Sequence, residues 1–348
     1  MCQRNPLHCI LPPYIVENML KSVDELVRKI ASDNLLLAAE FRAARAILSG
    51  MPMFGAMASP TAKKHRLIYD MKHGPSFLLP GTLVRSEGDP KHTDPAVNEA
   101  YDHSGTTYDF YKKILKRNSL DGNGMQLLSS VHLGNKFNNA FWNGQQMAYG
   151  DGDGVIFNRF TKSLDVVGHE LTHGVVTHTC NLIYQNESGA LNEHFADVFG
   201  SLVKQWKKKQ TVAKANWLIG EDIMVPKPTR RALRDMANPG TAYKNDPDLG
   251  SDPQPAHMSK KFTGTADHGG VHINSGIPNR AFYLAAQAIG GKAWETTGQI
   301  WYKALEQLTS TSVFADCAKI THQIAGADYS ASAQKAVKDA WAAVGITV

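Results

Sequence analysis

The stretch Asp165-Val-Val-Gly-His169-Glu170-Leu-Thr-His173 decides how this chain is read. On a helix, positions i and i+4 lie about 40° apart around the axis and one turn apart along it. His169 and His173 therefore project together and can share one metal ion, with Glu170 one step round, close enough to reach a metal-bound water. Two imidazole nitrogens and a carboxylate suit zinc. Val166, Val167, Leu171 and Val175 give the same helix an apolar surface. That favours a buried segment over a solvated face on which the spacing could arise by chance.

A third ligand is required. Glu193, in Gly189-Ala-Leu-Asn-Glu193-His-Phe-Ala-Asp197, begins a second helical stretch after a connection long enough to bring the chain back beside the first. Asp197 is four residues further on, shares the face of Glu193, and is read as the acceptor that fixes the outer N–H of His169. His178 follows His173 by five residues, points about 140° away, and is read as a surface or packing histidine.

Outward from this core, residues 165–179, 189–206, 275–289, 293–308, 311–325 and 330–343 carry helical periodicity. Upstream, residues 138–158 shift to Asn, Gly, Asp and aromatics, which predicts strands joined by tight turns, with Gly150–Gly154 (GDGDG) as a turn. Short alternating segments at 66–69 and 82–84 read as strands, and 106–117 as a helix. Residues 16–48 read as one or two helices, and the Gly- and Pro-bearing stretch 50–60 as a join open to proteolysis. The expected fold is α+β: a β-rich N-terminal lobe and an α-helical C-terminal lobe flanking a cleft, preceded by a small helical segment. The expected divisions are 1–50, 51–60 (linker), 61–180 and 181–348.

The chain has 348 residues, more than one core usually holds, and a formal charge of +5 whose basic residues are scattered, which argues against nucleic-acid binding. No stretch approaches the roughly 20 apolar residues of a membrane span. The start, MCQRNPLHCILPPY, has no long apolar run of the signal-peptide kind. Four cysteines without a CxxC pair suit neither a disulfide-dense domain nor a thiolate zinc site, and leave one bridge open.

Four blocks in order, NNAFWNGQQMAYGDGDG (138–154), HELTH (169–173), LIYQNESGALNEHFADVFG (182–200) and DHGGVHINSGIPN (267–279), resemble the thermolysin family of zinc endopeptidases, over about residue 66 to the C-terminus. The resemblance implies that His169, His173 and Glu193 hold a catalytic zinc ion and that Glu170 is the general base. It implies that His272 and Tyr184 stabilise the oxyanion and that Asp267 orients His272. Asn139, Ala140 and Trp142 then bind the substrate backbone, and Arg234 contacts the substrate carbonyl just beyond the scissile bond. Phe157, Phe160, Val166, Ile219, Ile223 and Leu233 form an apolar pocket for the residue after the cut, so cleavage is expected on the amino side of Leu, Phe, Ile or Val. The expected partners are peptide or protein substrates, with the chain itself a monomer acting outside a bacterial cell, an intracellular site remaining open.

Two departures from the family matter. Asp165 and Glu221 occupy positions of a family calcium site, but Lys204 stands where that site has a Glu, and Asn216 and Leu218 replace two further carboxylates. Calcium is therefore expected to bind weakly or not at all there. The N-terminal segment is short and resembles that of the protealysin subgroup, with Leu11-Pro12-Pro13-Tyr14 matching its Pro-Pro motif. Pro12, Pro13 and Tyr14 are expected to sit in the primed side of the cleft as an inhibitory propeptide acting in cis; a pre-extended Pro-Pro segment costs little entropy to bind. A competing reading has Cys9 or His8 ligating the zinc. Two other functions stay open: a silent zinc protein that binds a partner through its N-terminal helices, and an aminopeptidase, for which no acidic anchor for the substrate amine is evident.

Overall fold

The computed structural model describes residues 8–48 and 63–348. The expected linker 51–60 and Cys2 lie outside the described residues. In chain order the N-terminal part comprises strand β1 (His8–Cys9), helices α1 (Pro13–Met19) and α2 (Glu25–Leu48), strands β2 (Arg66–Asp70) and β3 (Thr82–Ser86), helix α3 (Pro95–Lys113), and strands β4 (Leu127–Val131), β5 (Ala140–Trp142) and β6 (Met147–Tyr149). Helices α4 (Leu164–Thr177) and α5 (Asn186–Lys207) follow, then the two-residue strands β7 (Leu218–Ile219) and β8 (Arg234–Asp235). The chain closes with α6 (Ala266–Asn274), α7 (Gly276–Ile289), α8 (Thr297–Leu305), α9 (Phe314–Asp328) and α10 (Ala331–Ala343). The α+β division into a sheet-bearing first part and a helical second part is as expected.

The sheet runs β1-β5-β6-β4-β2-β3. Its outermost strand on one side is the N-terminal segment: His8 pairs with Trp142 and Cys9 with Phe141, antiparallel. No periodicity announces this strand, because two residues show no period and their partners are more than 130 positions away.

Helix α3 begins at Pro95, eleven residues before its expected start at 106. Asp94 caps it by accepting the Ala96 N–H at 2.7 Å, and Pro95 at the first helical position loses no hydrogen bond there. Tyr101, Tyr108, Phe110 and Tyr111 give it a buried face.

The position of the functional site is set by how α4 and α5 cross. They run antiparallel, with Gly168 against Gly200: a Cβ on Gly200 would lie 2.5 Å from the Asp165 carbonyl oxygen and 3.0 Å from the His169 nitrogen. Side chains would force the axes apart, whereas glycine lets backbone rest on backbone. Close approach brings the α5 face carrying Glu193 and Asp197 against the α4 face carrying His169 and His173. Behind them, α7 to α10 close the helical core, in which Trp301 and Trp341 stack at 6.2 Å. Cys180 and Cys317 are thiols, so they do not supply a bridge.

Gly200→Ala should overpack this crossing and cost about 1–3 kcal/mol. It should also weaken metal binding, because the helix carrying Glu193 must shift. A lower thermal midpoint together with weaker zinc retention in chelator competition is the expected result; an unchanged value of both would show that the crossing tolerates a methyl group.

Candidate metal centre and cleft

His169 and His173 on α4, and Glu193 on α5, form a cluster able to hold a metal ion. The Nε2 atoms of the two histidines are 3.0 Å apart. Glu193 Oε2 is 3.5 Å from His169 Nε2, and Glu193 Oε1 is 3.4 Å from His173 Nε2. Ligand atoms each 2.0–2.1 Å from a tetrahedral zinc ion lie about 3.3 Å from one another, so these separations suit zinc.

Protonation supports the same assignment. His169 Nδ1 donates to Asp197 Oδ1 at 2.9 Å, since a carboxylate can only accept. Asn192 uses its Nδ2 on the Leu182 carbonyl, which turns its Oδ1 to accept from His173 Nδ1 at 2.8 Å. Burial lowers the two imidazoles to a pKa of about 4 for His169 and about 3 for His173, so both are neutral at pH 7 and bear their single proton on Nδ1. Two Nε2 lone pairs then face each other across 3.0 Å beside a carboxylate. Glu193 Oε2 is fully buried without a hydrogen-bond partner among the described residues. Mutual repulsion of this kind is relieved by a cation between them.

Glu170 is fully buried next to this group. Its Oε2 accepts the Trp142 N–H at 3.0 Å, while Oε1 has no hydrogen-bond partner among the described residues. Burial, and then the charge of Glu193, push its carboxyl well above the usual range. On the opposite side, Tyr184 donates its hydroxyl to Glu193 Oε1 and lies 3.1 Å from His272 Nε2. Asp267 binds His272 twice, at Nδ1 (2.6 Å) and at the backbone N–H (2.8 Å). Burial opposes charge on His272, but Glu193 and Asp267 outweigh it and raise its pKa to about 9. The hairpin that delivers this pair is unusual: Asp267, His268, Gly269 and Gly270 are all left-handed, with φ of 53°, 51°, 83° and 81°. A Cβ on Gly269 would collide with the Asn186 side chain, so glycine is required there on two grounds.

Asp197 is the hub. Its Oδ1 accepts from His169 Nδ1 and from Arg234 Nη2 (2.8 Å); its Oδ2 accepts from Arg234 Nε (2.8 Å) and from Asn279 Nδ2 (2.8 Å). Although burial opposes its charge, Arg234 and His169 hold Asp197 well below the usual carboxylate range. The network continues outward through Asn279, His194 and Trp301, none of which the sequence marked for the site. Trp301 Nε1–H donates to His194 Nε2, so the His194 proton sits on Nδ1 and is donated to Asn279 Oδ1 at 2.8 Å. That contact fixes which way the Asn279 amide points. Asn279 lies in the 267–279 block, but nothing in a linear string marks an amide as the partner of a carboxylate 82 positions away.

Asn139, Ala140 and Trp142 lie along the cleft, where the N-terminal segment pairs with them. Ile10 N–H donates to the Ala140 carbonyl (3.2 Å), and Leu11 N–H to Asn139 Oδ1 (3.2 Å). Arg234 Nη1 donates to the Ile10 carbonyl (3.1 Å), and His272 Nε2 to the Cys9 carbonyl (3.0 Å). Pro12 is the extended N-cap of α1, Pro13 its first residue, and Tyr14 is half-buried behind them. The hydrogen bonds to the cleft groups thus come from Cys9 to Leu11, just before the Pro-Pro pair. Pro13 instead borders a cavity of 540 Å³ lined also by Asn186, Asp267 and His268. The His8 side chain lies outside the described residues.

Phe157, Phe160, Val166, Ile219, Ile223 and Leu233 are all fully or almost fully buried, in the same apolar cluster as Ile10, Leu11 and Ile15. The β7–β8 ribbon sets Ile219 opposite Arg234, with Leu233 N–H donating to the Ile219 carbonyl at 2.9 Å. At the start of α4, the Lys204 ammonium donates to Asp165 and to the Leu218 carbonyl (2.6 Å). Asn216 Nδ2 donates to Glu221. His178, at the end of α4, stands apart from the metal cluster, as expected.

Removing Asn279 should leave a buried His194 donor unpaired and Asp197 short of one of its four, at about 1–3 kcal/mol. Asn279→Asp preserves shape but sets a second carboxylate against Asp197, and should lower the thermal midpoint more than Asn279→Ala does. The reverse order would mean that the amide acts by volume alone.

Residues 56–177 match the catalytic domain of the thermolysin metallopeptidases, and residues 180–346 match their alpha-helical domain. The chain is 45% identical over 346 residues to an extracellular metalloprotease of Pectobacterium carotovorum subsp. carotovorum, covering 99% of this chain and 97% of that protein. It is 44% identical over 355 residues to protease PrtS of Photorhabdus sp. (strain Az29), covering 99% of this chain and 94% of that one. Among solved structures, the precursor of protealysin, a metalloproteinase from Serratia proteamaculans, is 45% identical. It superposes with a TM-score of 0.86 over 98% of this chain and 100% of that one. The chain belongs to the thermolysin metallopeptidase family and is a hydrolase of its metalloprotease kind.

Proposed function

We propose that this chain is a zinc endopeptidase that cuts on the amino side of apolar residues and adopts a self-blocked form. The observation that carries the reading is the set of backbone hydrogen bonds made by Cys9, Ile10 and Leu11. They use the groups expected to hold a substrate, beside a metal cluster and a buried carboxylate. If Arg234 binds the carbonyl just beyond the scissile bond, Ile10 stands where the residue after the cut would stand. The Cys9 carbonyl then stands where the attacked carbonyl would be, next to His272 and Tyr184. An isoleucine there fits the apolar pocket of Phe157, Phe160, Val166, Ile219, Ile223 and Leu233. The similar proteins, an extracellular metalloprotease and a protealysin precursor, support a secreted proenzyme.

Zinc held by His169, His173 and Glu193 would supply Lewis acidity, polarising the carbonyl and lowering the pKa of a water molecule towards about 7. The protein supplies the rest. Glu170, anchored through Oε2 to the Trp142 N–H, keeps Oε1 for the proton of the attacking water. Burial and the charge of Glu193 raise its affinity for a proton, so it can take that proton and pass it to the departing amine. His272 and Tyr184 donate to the negative charge that develops on the carbonyl oxygen, and Asp267 keeps His272 charged and aimed. Arg234 and the edge of β5 align the chain, which lowers the entropic part of the barrier.

In the same reading, Lys204 does the work of the family's calcium at Asp165. The ion pair stands in for the cation and leaves no set of free oxygens for a hard metal. The silent-protein alternative is disfavoured because Glu170, Tyr184, His272 and Asp267 converge on the metal cluster.

Intact chain should hydrolyse a quenched peptide with Leu after the scissile bond slowly, and chain cut near residues 49–60 should do so fast. Ile10→Asp places a charge against the apolar pocket and should raise the activity of the uncut chain about tenfold or more. If that variant stays as slow as the uncut parent while the cut chain is fast, the substrate-like placement of Ile10 is wrong. Glu170→Ala should be inactive in every form while keeping its zinc, and loss of zinc to a strong chelator should abolish activity in all.

A calcium-selective chelator should leave the thermal midpoint unchanged. Lys204→Ala should lower it, at a cost of about 3–5 kcal/mol in stability, because Asp165 is then buried without its partner. A calcium-dependent midpoint in the parent chain would refute the replacement.

A further inference from the structure

A second group of metal-type side chains lies away from the cleft, in the sheet-bearing part. His73, His132 and Asp151 present ligand atoms within 4.8 Å of one another. His132 Nδ1 is 2.9 Å from Asp151 Oδ2, and His73 Nδ1 is 3.6 Å from the same oxygen. The Gly134 carbonyl oxygen adds a fourth donor, 3.1 Å from His73 Nδ1.

Three further features separate this group from a chance surface cluster. The first is the frame. Past the ends of β2 and β4 the pairing continues through Met71 N–H to the Val131 carbonyl (3.0 Å), His73 N–H to the His132 carbonyl (2.9 Å) and Gly134 N–H to the Gly74 carbonyl (3.1 Å). Leu133 N–H bonds the Tyr149 carbonyl (3.0 Å), two residues before Asp151. All three side chains thus stand on segments tied to one another by backbone. The second is conformation: His73 and His132 are both left-handed, with φ of 60° and 56°, a sparsely populated backbone region for non-glycine residues. The third is the outer contact of His132, whose Nε2 meets Asp94 Oδ2 at 2.9 Å. A carboxylate on the far nitrogen is what orients a ligating imidazole and raises its basicity. Asp197 stands in that relation to His169 in the cleft.

We propose that His73, His132 and Asp151 form a second, structural site for a zinc-type divalent ion, with Gly134 supplying a carbonyl oxygen and Asp94 orienting His132. Two imidazoles and one carboxylate favour a borderline ion over calcium or magnesium. The ion takes the place of the proton held between His132 Nδ1 and Asp151, and that proton leaves to solvent. His73 is half-exposed, so its ring can close the small remaining distance and ions can enter without opening the fold. Bound there, the ion would clamp the turn after β2 to the end of β4 and to the Gly150–Gly154 loop that follows β6. It would thus stiffen the sheet behind β5, the strand that borders the cleft.

The test is metal content and thermal midpoint of the full chain titrated with zinc. The parent should take up a second equivalent at micromolar free zinc, with a further rise in midpoint after the first site is filled. His73→Ala leaves the Asp94–His132–Asp151 contacts in place, so it should fold, keep one zinc, and bind the second at least about tenfold more weakly. Asp94→Asn retains a side chain able to cap α3 but loses the carboxylate, and should weaken the second zinc by about 10–100-fold. Uptake of a single equivalent by the parent would overturn the proposal. So would a second equivalent that His73→Ala keeps undiminished, for instance one that His272→Ala abolishes instead. Neither result bears on the cleft's peptidase reading, which is judged by Glu170→Ala.

Discussion

Everything at the cleft leans on one buried carboxylate, Asp197. Taking a charge out of water is expensive unless donors replace the solvent, and four of them do: His169, both arms of Arg234, and Asn279. The two oxygens have no freedom left, so the imidazole they hold and the guanidinium they hold are fixed relative to each other. An imidazole of the metal-type cluster and the arginine that meets the Ile10 carbonyl are therefore set by the same side chain. Behind it, Trp301, His194 and Asn279 settle the remaining ambiguity, because an indole can only donate and so dictates the tautomer and the amide orientation in turn.

That carboxylate reaches His169 only because α4 and α5 touch backbone to backbone at Gly168 and Gly200. Electrostatics and sterics are complementary here. Two neutral imidazoles with facing lone pairs and a carboxylate beside them repel one another, and tight helix packing on both sides prevents them from moving apart. The protein stores an arrangement that a cation relieves, which is the physical meaning of a preformed metal site. At the start of the same helix, Asp165 poses the same problem, and the Lys204 ammonium answers its buried charge.

The N-terminal segment shows how a strand as short as two residues can matter. Its register with β5 is set by contacts on both sides: the edge of the sheet on one, Arg234 and His272 on the other. Such a segment pairs through the obligatory hydrogen bonds of any peptide, so its register depends on backbone groups and not on side-chain identity. Apolar side chains at Ile10, Leu11 and Ile15 add the burial that holds it down.

The sequence alone determined the ligand trio, the neighbouring glutamate, the partner at Asp197 and the helical character of residues 165 onward. Helical geometry converts a spacing of four into a shared face, so that chemistry is local and legible. Only the tertiary structure decided the role of Asn279 and His194, the strand at His8–Cys9, the left-handed turn that aims His272, and the backbone hydrogen bonds of Cys9 to Leu11 just before Pro12. Those features depend on partners dozens to hundreds of residues away, or on φ angles that residue type alone does not fix, and no periodicity records them. The helix at α3 lies between these cases: its cap, Asp94-Pro95, was present in the string, but only packing extended the helix back to meet it.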